Sequence, residues 1–190
     1  LVLDQLAQCS VATIAPDYID AKTYVATASF SPSIPNATTQ NTAVKILVDC
    51  SGSMAGGSIQ AARRALMAIV KKFNTGDKFS LSKFGSSVEH RSKSLWSTSE
   101  QSRLGAEKWI GELQADMGGT EMLDAITSTF ALAHSSPCDV LLITDGQIHG
   151  IDDMIKQAKD SQHRVFSVGI GSSPSDNLLR RLAVETNGAC

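Results

Sequence analysis

Apolar and polar positions change rhythm along this chain, and the changes mark out its elements. Val44, Ile46, Leu47 and Val48 form an apolar run too short for a buried helix and right for a central strand, closing on Asp49. Helical spacing follows in Ile59, Ala62, Leu66, Ile69, Val70 and Phe73, with Ser58 as the expected N-cap and Lys71 and Lys72 in the last turn. Lys78 to Phe84 reads as a strand. Gly85-Ser86 turns it directly into Val88 to Arg91, so that second strand must run antiparallel and suits a sheet edge. Ser99 starts a helix carrying Leu104, Trp109, Ile110 and Leu113, and Gly118-Gly-Thr-Glu121 opens another with Leu123, Ile126, Thr127 and Phe130 on one face. Asp139 to Thr144 is the next buried strand, and the helix after it turns Ile151, Met154, Ile155 and Ala158 inward. Arg164 to Ile170 is a further strand; Ser175 then caps a helix bearing Leu178, Leu179 and Leu182, which Asn187-Gly188 stops.

This alternation predicts an α/β fold: a doubly wound, mostly parallel, Rossmann-like sheet with one antiparallel edge strand and helices on both faces. Residues 1–43 have another texture. Ser10 to Ile14 and Lys22 to Phe30 read as short strands about the turn-like Pro16-Asp17, and a Pro/Ser/Thr/Asn-rich connector runs from Ser31 to Asn41. They are expected to form a strand pair and linker packed on the domain of residues 44–190. Asn36-Ala-Thr38 fits a glycosylation sequon, which matters only in a secreted chain.

Composition narrows the function classes. The chain of 190 residues suits one domain, and 42% apolar with 19% charged residues is an ordinary globular balance. A net charge of -2 gives no basic footprint for nucleic acid or anionic membrane. No apolar run approaches a membrane span, so direct membrane insertion is not expected. The opening Leu1 reads as the start of an excised or processed fragment, so a missing signal peptide says nothing about the full-length protein. Cys9, Cys50, Cys138 and Cys190 show no zinc spacing. Cys50 and Cys138 would sit at opposite ends of parallel strands, roughly 20 Å apart, too far to bridge. A Cys9–Cys190 bridge stays open, while reduced thiols are the simpler reading and lean toward a reducing, cytoplasmic compartment.

The chemistry lies in three loops at one edge of the expected sheet. Asp49, Ser51 and Ser53 follow the first strand of the domain, Thr120 lies in the Gly-Gly-Thr loop, and Asp145 ends the Leu-Leu-Ile-Thr strand. Such oxygen donors suit a small hard cation, since magnesium takes about six oxygens at roughly 2.0–2.1 Å and usually keeps waters. Three neutral hydroxyls leave the metal electron-poor and open to an anionic oxygen from outside. Gly118, Gly119 and Gly146 let the loops approach closely.

Asp49-Cys-Ser-Gly-Ser53, Gly119-Thr120 and Thr144-Asp145-Gly146, in this order, resemble the metal-ion-dependent adhesion site (MIDAS) of the von Willebrand factor type A domain. The wording VDCSGSM and LLITDGQI is most similar to members that carry a vault/inter-α-trypsin-inhibitor module ahead of the A domain. The resemblance implies Ser51, Ser53 and Thr120 as direct ligands of Mg2+, with Mn2+ or Ca2+ as substitutes, and Asp49 and Asp145 acting through water or switching modes. It also implies a partner's Asp or Glu carboxylate, on a protein ligand or another domain of the same chain, completing the shell. Family members usually have one more strand and a last helix after the position of Gly188, so residues 44–190 are expected to lack them.

Two other readings compete: a magnesium-dependent hydrolase or phosphoryl-transfer enzyme, and a scaffold with a vestigial metal site. The enzyme is disfavoured, for no phosphate-loop lysine follows Gly56-Gly57, and Ser51 stands where a second acid would be needed. No general base stands near the loops. The chain is therefore read as a non-enzymatic binding module. Met54, Gln147, Ile148 and His149 are candidate rim residues, and Cys50 is expected to pack beneath the loop. The dipole alone explains Glu121 at its helix start. His90, His134 and His163 are read as plain surface or core residues, and Arg63, Arg64, Lys71 and Lys72 as a solvated face.

Overall fold

A computed structural model describes residues 11–20, 22–29, 41–134, 137–146, 151–171 and 176–190. The chain divides into two compact units, Leu1–Gln40 and Asn41–Cys190. In the first, β1 (Val11–Pro16) and β2 (Tyr24–Ser29) pair antiparallel, with Ile14 opposite Ala26 and Pro16 opposite Tyr24. The carboxylates of Asp17 and Asp20 accept from the Ile19 and Lys22 amides in the turn between them, the local bonding that favours Asp in turns.

The second unit is built on β3 (Ala43–Asp49). It lies between two parallel neighbours, β4 (Lys78–Phe84) and β7 (Asp139–Thr144), and β8 (Arg164–Gly169) extends the parallel set beyond β7. β5 (Val88–His90) runs antiparallel to β4 at the other edge, giving the order β5-β4-β3-β7-β8. A strand flanked on both sides and covered on both faces must be apolar almost throughout, which is why β3 lacks simple alternation. Ile46, Val48 and Cys50 pack with α1 (Gly57–Val70) and α2 (Glu100–Glu112). Leu47 packs on the opposite face with α3 (Met122–Ala131), α4 (Ile151–Ser161) and α5 (Asp176–Glu185). The doubly wound sheet is thus the one the alternation predicts.

Several details differ from the sequence reading. A two-residue strand, β6 (Trp96–Ser97), also pairs antiparallel with β4, and nothing in its length signals a strand. α1 begins at Gly57 behind Gly56, whose φ of 77° an L-residue rarely adopts, so Ser58 does not cap it. The helix ends at Val70, so Lys71 is its C-cap and Lys72 lies beyond it. In α2, Leu104 is 60% exposed and Ala106 takes the buried place, because the helix turns its small side toward α1. In α3 the inward face is Met122, Ala125, Ile126, Thr129 and Phe130, while Thr127 points outward and donates to the Leu123 carbonyl. Ser99 does cap α2, with Ser102 returning the bond. Cys9, the linker, Ser175 and the side chain of Ile151 lie outside the described residues.

Candidate metal centre

β3 ends at the carboxyl edge of the sheet, where open α/β sheets present their loops to ligands. Asp49 is fully buried there, which is tolerable only because both carboxylate oxygens are engaged. Oδ1 accepts the Ser51 amide at 2.8 Å, and Oδ2 accepts the Thr144 hydroxyl at 2.6 Å. Burial pushes the Asp49 carboxyl above its usual range; these bonds pull it back, and the neighbouring charge of Asp145 pushes it further up. The chain then turns through a single 3-10 turn, Gly52–Met54. Ser51 Oγ and Ser53 Oγ stand 3.0 Å apart. Adjacent donors on an octahedron with bonds of about 2.1 Å lie about 3.0 Å from one another. The two hydroxyls therefore fit neighbouring positions around a magnesium-sized cation.

The loop bearing Thr120 is tied to this one from both sides. The Met117 amide donates to the Cys50 carbonyl at 3.0 Å, and the Gly52 amide to the Gly118 carbonyl at 2.8 Å. From the β4–β5 turn, the Ser86 amide donates to the Met117 carbonyl at 2.7 Å, and Ser86 Oγ accepts the Gly119 amide at 2.8 Å. Thr120 is half-buried at the end of this loop. Gly118, with φ 76°, makes the turn that the crossing requires.

Asp145 enters from β7. Thr144 Oγ1 accepts the Gly146 amide at 3.1 Å while donating to Asp49, so one hydroxyl joins the two acidic loops. Thr144 belongs to the motif, but its bonding role is not legible in sequence; a hydroxyl just before an Asp-Gly strand exit is the signal. Among the described residues no three His, Cys, Asp or Glu side chains cluster as a metal shell, so a cation here would rest on hydroxyls with at most two carboxylates beside them.

Other sequence assignments shift. Met54, read as a rim residue, is fully buried, because the 3-10 turn folds it under the loop. Cys50 packs beneath the loop, and burial pushes its thiol up to about 12. Arg63, read as part of a solvated face, is half-buried and donates to the Leu113 carbonyl. Gln147, Ile148 and His149 lie outside the described residues.

An open, mostly parallel sheet with helices on both faces and polar loops at its carboxyl edge defines a doubly wound α/β domain. The chain belongs to the von Willebrand factor type A domain family, whose sequence model matches residues 42–190. A von Willebrand factor A domain-containing protein of Dictyostelium discoideum is 31% identical over 177 residues, 89% of this chain and 19% of the relative. The human von Willebrand factor A domain-containing protein 5A is 30% identical over 175 residues, 84% of this chain and 22% of its own. The chain thus spans about a fifth of the length of these relatives. Among solved structures, a von Willebrand factor type A protein from Catenulispora acidiphila has a TM-score of 0.68 at 21% identity, covering 94% of this chain and 40% of that one. Proximal thread matrix protein 1 from the mussel byssus, solved with zinc in its MIDAS motif, has a TM-score of 0.63 at 18% identity, covering 75% and 39%.

Proposed function

We propose that residues 44–190 form a divalent-cation-dependent protein-interaction module, with residues 1–43 as its strand pair and linker. Ser51, Ser53 and Thr120 would hold Mg2+ directly, with Asp49 and Asp145 balancing its charge at closer or longer range. An Asp or Glu carboxylate of a protein partner, or of another domain of the same polypeptide, would take the remaining position. The observation that carries this reading is the Ser51–Ser53 hydroxyl pair at 3.0 Å beside a fully buried Asp49. A cation there would relieve the repulsion between Asp49 and Asp145. The zinc-occupied MIDAS motif of the mussel protein supports a divalent cation as the class of ligand. A neutral hydroxyl shell suits capture of a carboxylate better than activation of water, so the module is read as non-enzymatic.

Calorimetric titration with magnesium and manganese tests the assignment. Asp49→Ala and Thr120→Ala should each weaken a single saturable site by about tenfold or more, the usual cost of disturbing a metal shell. Unchanged affinity in both variants would refute it.

A further inference from the structure

β3 carries a charge in the midst of its apolar residues. Lys45, between Val44 and Ile46, has no exposed surface. Its Nζ donates to the Phe130 carbonyl in the last turn of α3 at 2.9 Å and lies 3.0 Å from His163 Nε2. His163 is itself only 5% exposed, and its Nδ1 lies 2.9 Å from the Ser161 carbonyl. A carbonyl only accepts, so Nδ1 carries the ring hydrogen and Nε2 offers its lone pair to the ammonium. The pair therefore holds one positive charge and a neutral imidazole. The ring of Phe130 packs on that imidazole with centroids 5.1 Å apart. Beside this contact, His90 of β5 reaches Ser128 Oγ of α3 at 2.7 Å through Nε2, and Ser82 Oγ of β4 at 2.7 Å through Nδ1.

The last turn of α3 is thus met by titratable groups from β3, β5 and the residue just before β8. Its first turn follows directly on Thr120. We propose that Lys45 and His163 form an acid-sensitive clasp at the foot of the domain, which holds the end of α3 at neutral pH and lets it go when His163 takes a proton. The link from this clasp to the Thr120 loop rests on the metal reading above; the clasp itself does not.

A second proton leaves Nε2 with no lone pair and sets two cations 3.0 Å apart. Burial works against the Lys45 charge, and Cys138 ahead of β7 favours it. Burial and the Lys45 charge both hold His90 below its ordinary value. Among the described residues, the Phe130 and Ser161 carbonyls accept from the pair. Arg164 beside His163 is already paired with Asp139 across β7 and β8. Burial holds His163 below its ordinary value; the bond to the Ser161 carbonyl opposes this in part, and the Lys45 charge adds to the lowering. The sign follows. An opened state takes the proton first, so the clasp's stability is whole above the ordinary histidine value of about 6.5 and drains away as pH falls through it.

The test uses the metal-free chain. Nitrogen-15 spectra of the imidazoles should show His163 neutral at pH 7 with the hydrogen on Nδ1, and a charged ring or the opposite tautomer would overturn the proposal without any variant. Hydrogen exchange at Phe130 and Ala131, corrected for its intrinsic pH dependence, should lose protection several-fold from pH 7.0 to 5.5, with a limit of about tenfold per pH unit for one proton. His163→Gln keeps an acceptor that does not titrate and should lose less than half as much; an equal loss in the variant, or none in the wild type, would overturn the clasp. Magnesium affinity should fall more between these pH values in the wild type than in His163→Gln. Absence of magnesium binding at pH 7 would refute the metal centre and the link to it, with the exchange result judging the clasp alone.

Discussion

Asp49 is tolerated in the interior because one main-chain amide and one hydroxyl meet its two oxygens. Thr144→Val keeps the shape of that hydroxyl's side chain and strands Oδ2, so urea unfolding should show a loss of about 1–3 kcal/mol, while Thr144→Ser should recover most of it. Equal stability of the Val and Ser variants would mean that the Thr144–Asp49 bond carries no weight. At this scale the oxygen donors were legible in the sequence, since Asp49, Ser51 and Ser53 share one short loop after an unmistakable strand. Lys45, Arg63 and Met54 were not. Each depends on groups remote in sequence: Lys45 on Phe130 and His163, Arg63 on Leu113, and Met54 on the core that the 3-10 turn folds it into.

At the scale of elements, the site depends on one loop being held against two others. Gly85 in the β4–β5 turn allows this, because a Cβ there would run into the Met117 carbonyl oxygen. Gly85→Ala should therefore push the Thr120 loop outward and weaken magnesium binding more than it lowers the melting temperature of the metal-free chain. A variant that binds as tightly as the wild type would show that the loop's position is unimportant. Helical spacing located α2 and α3 and placed Ile110, Leu113, Ile126 and Phe130 in the core, but it misplaced Leu104 and Thr127, which are exposed. A periodic pattern gives the angle of an apolar stripe, and the partner decides which edge of the stripe is covered. α2 packs through Ala106 and Ile110 and leaves Leu104 in solvent, while α3 turns Thr129 inward and bonds its hydroxyl to the Ala125 carbonyl. β6 was missed because two residues are too few to show alternation.

At the scale of the molecule, alternating strands and helices leave little choice but a sheet wound on both sides, and its carboxyl edge then gathers the polar loops. The two core clusters lie on opposite faces of β3, and Asp49 stands where that central strand leaves them both. A cation at this point would touch loops from β3, from β7 and from the start of α3 at once. A crystal of the chain soaked in manganese tests this most directly, because the ion's anomalous signal locates it without assuming its ligands. The account predicts one peak within about 2.3 Å of Ser51 Oγ and Ser53 Oγ, with the Thr120 hydroxyl on a third side. A peak elsewhere, or none here at saturating manganese, would contradict it.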